Sequence, residues 1–210
     1  MSKVIGVICA FMCTFSIAGD LVQRPFIGKF VNYNLQHPEN KEVTRVYMSE
    51  FGVRVESDGM FGAEAGGYYV KNQMSNRAWL VRPSRKMYAE LPEQSDQEHT
   101  GVSEGFMANK PCLESGAELR SKHVVGIVTM LGVPVVVWEC EYTAIKARQY
   151  FSEHWGLVIK EELPNQMVTE FQSIQEASWS EDFFKPSTLY TEVNLEDVVF
   201  MRPLLEGYAE

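Results

Sequence analysis

The sequence has little positive charge and no long hydrophobic run. Its 210 residues contain 19 Lys and Arg against 28 Asp and Glu, which gives a formal net charge of −9 at pH 7. Nucleic acids and anionic membrane surfaces require basic residues concentrated on one face, so neither is an expected partner. The apolar runs at residues 4–17 and 124–138 contain fourteen and fifteen residues, whereas a membrane-spanning helix needs about 20.

Short motifs of enzyme and metal chemistry are also missing. The chain has no H-x-x-x-H, H-E-x-x-H or G-x-S-x-G, and no C-x-x-C beyond the N-terminal segment. The four histidines lie singly along the chain: His37, His99, His123 and His154. Glu161 and Glu162 are adjacent on a predicted strand and point to opposite faces, so they do not form a ready-made acid–base pair. We therefore expect no metal, no cofactor and no enzyme activity.

The N-terminal segment has the pattern of an export signal. Lys3 precedes the apolar run at 4–17, and Ser16 and Ala18 stand in an A-x-A-like arrangement. This pattern predicts a secretory signal peptide at residues 1–18 and a single mature domain at residues 19–210. An uncleaved anchor or a buried N-terminal helix is the alternative.

Cysteine is scarce, and two of the four cysteines, Cys9 and Cys13, lie in the predicted signal peptide. The other two, Cys112 and Cys140, are expected to form a disulfide, because exported proteins fold in an oxidising compartment. Closing this loop would stabilise the fold by about 3.6 kcal/mol in the chain-entropy model.

Short runs rich in β-branched and aromatic residues dominate the chain, and Gly, Pro, Asn, Asp and Ser separate them. They predict about eleven strands in two meanders, at 25–35, 43–49, 52–57, 67–73, 77–83 and 86–91, and at 118–130, 134–145, 147–154, 156–163 and 167–177. Phe51, Val53 and Val55 alternate with Arg54 and Glu56, which predicts one buried and one solvated face. The fold class is therefore mainly β, a single strongly curved antiparallel sheet with one or two short helices.

Three segments lack the apolar pattern of the predicted strands. Residues 92–115 are polar and small, and they predict a crossing insertion with a short helix. Residues 179–193 predict a covering turn. The tail at 194–210 predicts either a short helix with Asn194 as its N-cap or a frayed end.

The stretch HVVGIVTMLGVPVVVWECEY, residues 123–142, is the most apolar part of the mature chain. Gly126, Gly132 and Pro134 interrupt it, and its β-branched residues favour strands over a helix. We expect two neighbouring strands turned at 131–134 and buried on both faces where the insertion packs. Cys140 would tie the second strand to that insertion.

Several sequence patterns resemble exported bacterial proteins related to the LolA and LolB lipoprotein-localisation fold. They are YVKNQMSNRAWLVRPSRKMYAELP, LGVPVVVWECEY, SEHWGLVIKEE and SEDFFKPSTLY. The resemblance covers most of residues 25–190. It implies a LolA-like half-barrel whose strands wrap an apolar concave face, and a protein of the Gram-negative periplasm. It carries over no functional residue, since the characteristic lid-fixing arginine of the lipoprotein carriers has no recognisable counterpart here.

Aromatic side chains are the remaining candidates for a binding site. A curved sheet can direct several of them into its concave face, and the predicted ligand-binding set is Phe61, Tyr69, Trp79, Tyr88, Phe106, Trp138, Trp155 and Phe171. Filling an ordinary core is the alternative role for each. The predicted function is a carrier or sensor of a lipid-like or lipoprotein ligand. An envelope interaction subunit with a filled core and a protein partner is the alternative, and a hydrolase comes third.

Overall fold

The computed structural model describes residues 24–57, 66–92, 106–113, 118–143 and 145–199. These residues form one twelve-stranded sheet that is not closed, with one short α-helix. The predicted signal peptide at 1–18 lies outside the described residues, as do Phe61, His99, most of the insertion at 92–115 and the tail beyond 199. The prediction of a mainly β protein built on a single curved sheet is confirmed.

The strands follow the predicted runs closely. Their bounds are β1 Phe26–Asn34, β2 His37–Ser49, β3 Gly52–Ser57, β4 Gly67–Asn72, β5 Arg77–Arg82, β6 Met87–Glu90, β7 Leu119–Met130, β8 Val133–Tyr142, β9 Lys146–Ser152, β10 Leu157–Glu162, β11 Met167–Glu176 and β12 Thr191–Glu192. The helix α1 spans Leu195–Val199, and the carbonyl of Asn194 accepts hydrogen bonds from its first turn. The described part of the insertion, residues 106–113, forms turns and no helix.

The two predicted meanders join edge to edge in one sheet. The strand order is β12-β6-β5-β4-β3-β2-β1-β11-β10-β9-β8-β7, so β1 pairs with both β2 and β11. Neighbouring strands of the described sheet pair antiparallel, except that the short β12 lies parallel to β6. One end of the sheet is therefore finished by the C-terminal segment, and the other end is β7.

Alternating side chains divide the sheet into two apolar faces. One face carries the larger apolar cluster, and we call it the inner face. The cluster includes Phe26, Phe30, Val46, Met48, Val53, Val55, Tyr69, Leu80, Trp155, Leu157, Ile159 and Phe171. The outer face carries a second cluster around Tyr68, Val70, Trp79 and Val81.

The expectation of a solvated outer face is wrong for β4 and β5, which are buried on both sides. The reason is the predicted covering turn, whose 3-10 helix Glu181–Phe184 inserts Phe184 into the outer cluster. Phe51 also packs against this cluster and not beside Val53, because the turn between β2 and β3 interrupts the alternation.

The apolar stretch at 123–142 forms β7 and β8, turned at Leu131 and Gly132, whose φ angles of 50° and 78° are left-handed. The prediction that both strands are buried on both faces is wrong for β7 and holds only in part for β8, where buried residues are interspersed with partly exposed ones. The side chains of β7 are mostly exposed, because β7 is the last strand of the sheet and the insertion packs against β9 and β10 instead.

Candidate ligand-binding site

An aromatic cluster lies on the inner face where β1 and β11 meet. We define it as Phe26, Phe30, Phe106, Trp155 and Phe171. The Phe171 ring centroid lies 6.0 Å from that of Phe26 and 5.8 Å from that of Phe30, both edge-on. Edge-on and offset aromatic pairs add about 0.5–1.5 kcal/mol each beyond the burial of area. These ring contacts tie β1 to β11 on this face.

Gly28 makes room for this cluster on β1. It lies between Phe26 and Phe30 on the inner side of the strand, and a Cβ atom built there would overlap the Phe171 ring, 3.0 Å from its Cδ1. Phe171 therefore lies directly over the β1 backbone, which only a residue without a side chain permits.

The described insertion, residues 106–113, covers the aromatic cluster. The Phe106 ring stacks on Phe171 with 5.2 Å between centroids and lies 5.1 Å from Phe30. The Met107 amide donates to the Val158 carbonyl, and the Val158 amide donates to the Ala108 carbonyl, both at 2.9 Å. Met107 has a left-handed φ of 62°, a conformation that costs about 1–2 kcal/mol. The cover is held by contacts with the strands of the sheet and not by secondary structure of its own.

The helix α1 closes a second part of the inner face. Val198 is fully buried in the inner cluster, and Leu195 packs beside it. Arg82, only 2% exposed, donates from Nη1 to the Val198 carbonyl at 3.2 Å. Burial, and then the charge of Arg85, lower the pKa of Arg82. A buried guanidinium thus fixes the C-terminal segment to β5.

A polar row crosses the sheet beside the aromatic cluster. Pairing in register places Glu42, Asn32, Thr169, Glu161 and Gln149 side by side on five adjacent strands. Gln149 Nε2 donates to Glu161 Oε1 at 2.7 Å, and Thr169 Oγ1 donates to Asn32 Oδ1 at 3.4 Å. Burial raises the pKa of Glu42, although its hydrogen bond from Ser57 opposes the shift. The inner face is therefore amphipathic, with aromatic rings beside a line of hydrogen-bonding groups.

The Cys112–Cys140 disulfide predicted from the sequence is present and joins the insertion to β8, with 5.3 Å between the Cα atoms. The Cys112 amide also donates to Gln149 Oε1 at 2.7 Å, so the disulfide lies at the end of the polar row. Trp138 packs against this disulfide cluster, apart from the aromatic cluster.

The predicted aromatic set is divided among three places. Tyr69, Phe106, Trp155 and Phe171 share the inner cluster. Trp79 and Tyr88 belong to the outer cluster, because each is adjacent in its strand to an inner-face residue, Leu80 or Ala89. Trp138 lies with the disulfide, and Phe61 is outside the described residues.

Sequence reasoning missed the two most buried charged residues of the inner face, Glu161 and Arg82. Glu161 is 2% exposed, whereas Glu162 lies on the outer side with Lys160, at 2.9 Å. The two glutamates point to opposite faces, as predicted. The period-two series Leu157, Ile159, Glu161 would have assigned Glu161 to the buried face.

Three tyrosines are expected to make the free energy of unfolding depend on pH. Tyr33, Tyr47 and Tyr150 donate to Glu170, Glu56 and Glu162 at 3.0–3.1 Å. Burial, followed by the charge of the neighbouring carboxylate, raises the pKa of each tyrosine above 10.0. A raised folded-state pKa stabilises the fold below the unfolded pKa, and this contribution is lost as pH rises through the folded pKa.

We therefore expect the free energy of unfolding to fall above about pH 10. Denaturant titrations at successive pH values measure the slope, and tyrosinate absorbance follows the ionisation. In the control, Tyr150→Phe, the slope should become shallower. An unchanged slope in this variant would remove Tyr150 from the explanation.

No helix of the described residues is long and apolar enough to cross a membrane. Within the same residues, no group of three or more His, Cys, Asp and Glu side chains is placed to hold a metal ion.

The described sheet is open and mainly antiparallel. No protein-family model matches the chain, and no curated protein matches it significantly. Among solved structures, MucB in complex with MucA(peri) is 14% identical over 80% of this chain and 55% of that chain, with a TM-score of 0.46. A LolA superfamily protein from Nitrosomonas europaea is 13% identical, over 78% and 90%, with a TM-score of 0.37.

An outer membrane lipoprotein-sorting protein domain from Vibrio parahaemolyticus is 11% identical over 79% of this chain and 91% of that chain, with a TM-score of 0.31. The chain spans little more than half the length of the MucB structure. These similarities concern the fold alone.

Proposed function

We propose that this protein is a non-enzymatic periplasmic binding protein, a carrier or sensor that holds the apolar chain of a lipid-like or lipoprotein ligand on its inner face. The observation that supports this proposal is the stacking of Phe106 on Phe171. One wall of the aromatic cluster comes from the sheet, and the opposite wall comes from an irregular segment.

The free energy needed to displace Phe106 is small enough for a ligand to replace it reversibly. Exposing the Phe106 side chain costs about 1.5–3 kcal/mol, and each buried CH₂ group of a ligand returns about 0.8 kcal/mol. A chain of roughly four methylene groups or more would therefore offset the displacement of Phe106. Release of the cover would also relieve the left-handed conformation of Met107, by about 1–2 kcal/mol. It would break the two backbone hydrogen bonds with Val158, at about 0.5–1.5 kcal/mol each, so these two effects roughly cancel.

The polar row would set the orientation of a bound ligand, because it lies beside the aromatic cluster. An apolar chain lying against Phe30 and Phe171 would end beside Thr169 and Glu161, which lie two residues from Phe171 on β11 and from Ile159 on β10. A ligand with an apolar chain and a hydrogen-bonding head group fits this order, because its apolar part would lie on aromatic rings and its head group would lie beside side chains that can exchange hydrogen bonds with it.

We further propose a single domain at residues 19–210 that is exported by cleavage of residues 1–18. The disulfide supports this location, since structural disulfides persist in oxidising compartments.

The direct experiment is lipid extraction and mass spectrometry of protein purified from the native periplasm. We expect a copurifying amphipathic molecule. Phe106→Ala should raise the binding of an apolar fluorescent probe, since it opens the cluster, whereas the control Phe183→Ala on the outer face should not. A wild-type protein without lipid, together with a Phe106→Ala variant that gains no probe binding, would contradict the proposal.

The second candidate function is an envelope interaction subunit with a filled interior. It is favoured by the aromatic cluster itself, in which Phe26, Phe30 and Phe171 are already buried by other side chains. It predicts no bound lipid and a specific envelope protein as partner.

A further inference from the structure

The strand β7 is a long exposed edge of the sheet. It has twelve residues, and it ends the strand order, with β8 as its neighbour. The opposite end of the sheet is protected, because the Thr191 amide donates to the Lys86 carbonyl and the Val193 amide to the Tyr88 carbonyl, both at 2.9 Å. Only one end of the sheet is thus capped by the described part of the chain.

The two halves of β7 differ in charge. The first half contains Arg120 and Lys122, and charged side chains on an edge discourage pairing. The second half continues into the turn as residues 124–131, eight residues without charge or proline. Its exposed apolar side chains are Val124, Val125, Ile127, Val128 and Leu131. An uncovered edge of this kind favours pairing with another strand.

We propose that residues 126–130 of β7 pair antiparallel with the same residues of a second copy of this chain. In this register Ile127 lies opposite Thr129 of the other copy, and Gly126 lies opposite Met130. The contact is isologous and closes as a two-fold dimer, which is the commonest symmetry of protein oligomers.

Charge at the edge favours a second copy over an acidic peptide. Glu139 already binds Arg148 at 2.7 Å and lies 3.4 Å from His123, while Glu141 accepts from Ser121 and lies 3.3 Å from Lys146. Arg148 and Lys146 of β9 therefore already have acidic partners within the chain. Residues 124–131 carry no charge that would attract an acidic peptide, whereas a second copy supplies an equally uncharged strand. Antiparallel pairing also places the two basic halves at opposite ends, whereas parallel pairing would bring like charges together.

The β-bulge between Val124 and Gly126 separates the two halves of β7. Bulges bend the bulged strand and interrupt its ladder. The basic half is therefore turned away from the line of the apolar half, so the paired surface is confined to residues 126–130, beyond the bulge. Five residues in an antiparallel pair form about five backbone hydrogen bonds, so we expect a dimer whose population depends on protein concentration.

The test is sedimentation velocity of the full chain over a wide concentration range, comparing wild type with Ile127→Lys. The control is Met74→Lys, because Met74 and Ile127 are both 70% exposed and Met74 lies in the turn between β4 and β5. We expect wild type and the control to form dimers, and Ile127→Lys to raise the dissociation constant more than tenfold.

Two outcomes would overturn the proposal. One is a wild type that stays monomeric over the whole concentration range. Protection of the 124–131 amides from hydrogen exchange in that monomer would show that another segment of the same chain covers the edge. The other is an Ile127→Lys variant that dimerises as well as wild type. Neither outcome depends on lipid binding at Phe106, so this proposal and the proposed function can fail separately.

Discussion

Replacing Phe171 by alanine is expected to lower the free energy of unfolding by about 3–5 kcal/mol. The Phe171 ring is 3% exposed and contacts three other rings of the aromatic cluster, Phe26, Phe30 and Phe106. It also joins β11 to β1, where the two meanders meet, so its loss leaves a cavity at the centre of the inner face. Denaturant unfolding followed by circular dichroism measures the change.

Gly28 provides a control that is specific for this ring. Gly28→Ala should cost about 1–3 kcal/mol in the wild type, because the added methyl group overlaps Phe171. In a Phe171→Ala background this overlap is gone and only the 3.3 Å approach to Phe26 Cε2 remains, so the same substitution should cost much less. The double-mutant cycle would then show a coupling that accounts for most of the Gly28→Ala penalty. Additive free energies would show that the ring does not lie over Gly28.

Strands with a clear apolar pattern were predictable from the sequence, as β3 to β6 and β10 show. The bounds of β2 were not, because residues 37–42 are polar and proline-containing and become extended only through pairing with β1, where His37 lies opposite Asn34. The two-residue β12 carries no pattern of its own. Its conformation is set by hydrogen bonds to Lys86 and Tyr88.

The local sequence pattern also did not determine on which face of the sheet each side chain lies. In β5 the neighbours Trp79 and Leu80 are both apolar, and only the register with β4, where Trp79 lies opposite Val70, assigns Trp79 to the outer cluster. The exposure of β7 had no local signal either, since a β-branched run is typical of a buried strand. Strand order decides it, and strand order is a property of the whole chain.

The disulfide was the most predictable part of the site, because only two cysteines remained beyond the predicted signal. Its position was not predictable, since the sequence does not show that Cys112 also donates to Gln149 at the end of the polar row. The disulfide, that hydrogen bond and Phe106 fix the insertion on the inner face at successive points of one short segment.

Removing the disulfide with Cys112→Ser and Cys140→Ser together should therefore lower the free energy of unfolding by about 3–4 kcal/mol. The sequence separation of 28 residues sets this chain-entropy cost. A local effect should accompany it, because residues 106–113 lose their covalent attachment to β8. The amides of Met107 and Val158, which bond across this contact, should exchange faster with solvent.

Wild-type protein treated with reductant is the matched control, and it should reach the stability of the double variant, which reductant should leave unchanged. Amides in the pairing of β1 with β2 should keep their protection relative to global unfolding, because this pairing lies away from the insertion. If the Met107 and Val158 amides kept their protection as well, the cover would be held by Phe106 packing alone. Opening of the inner face would then depend on the aromatic cluster and not on the redox state of Cys112 and Cys140.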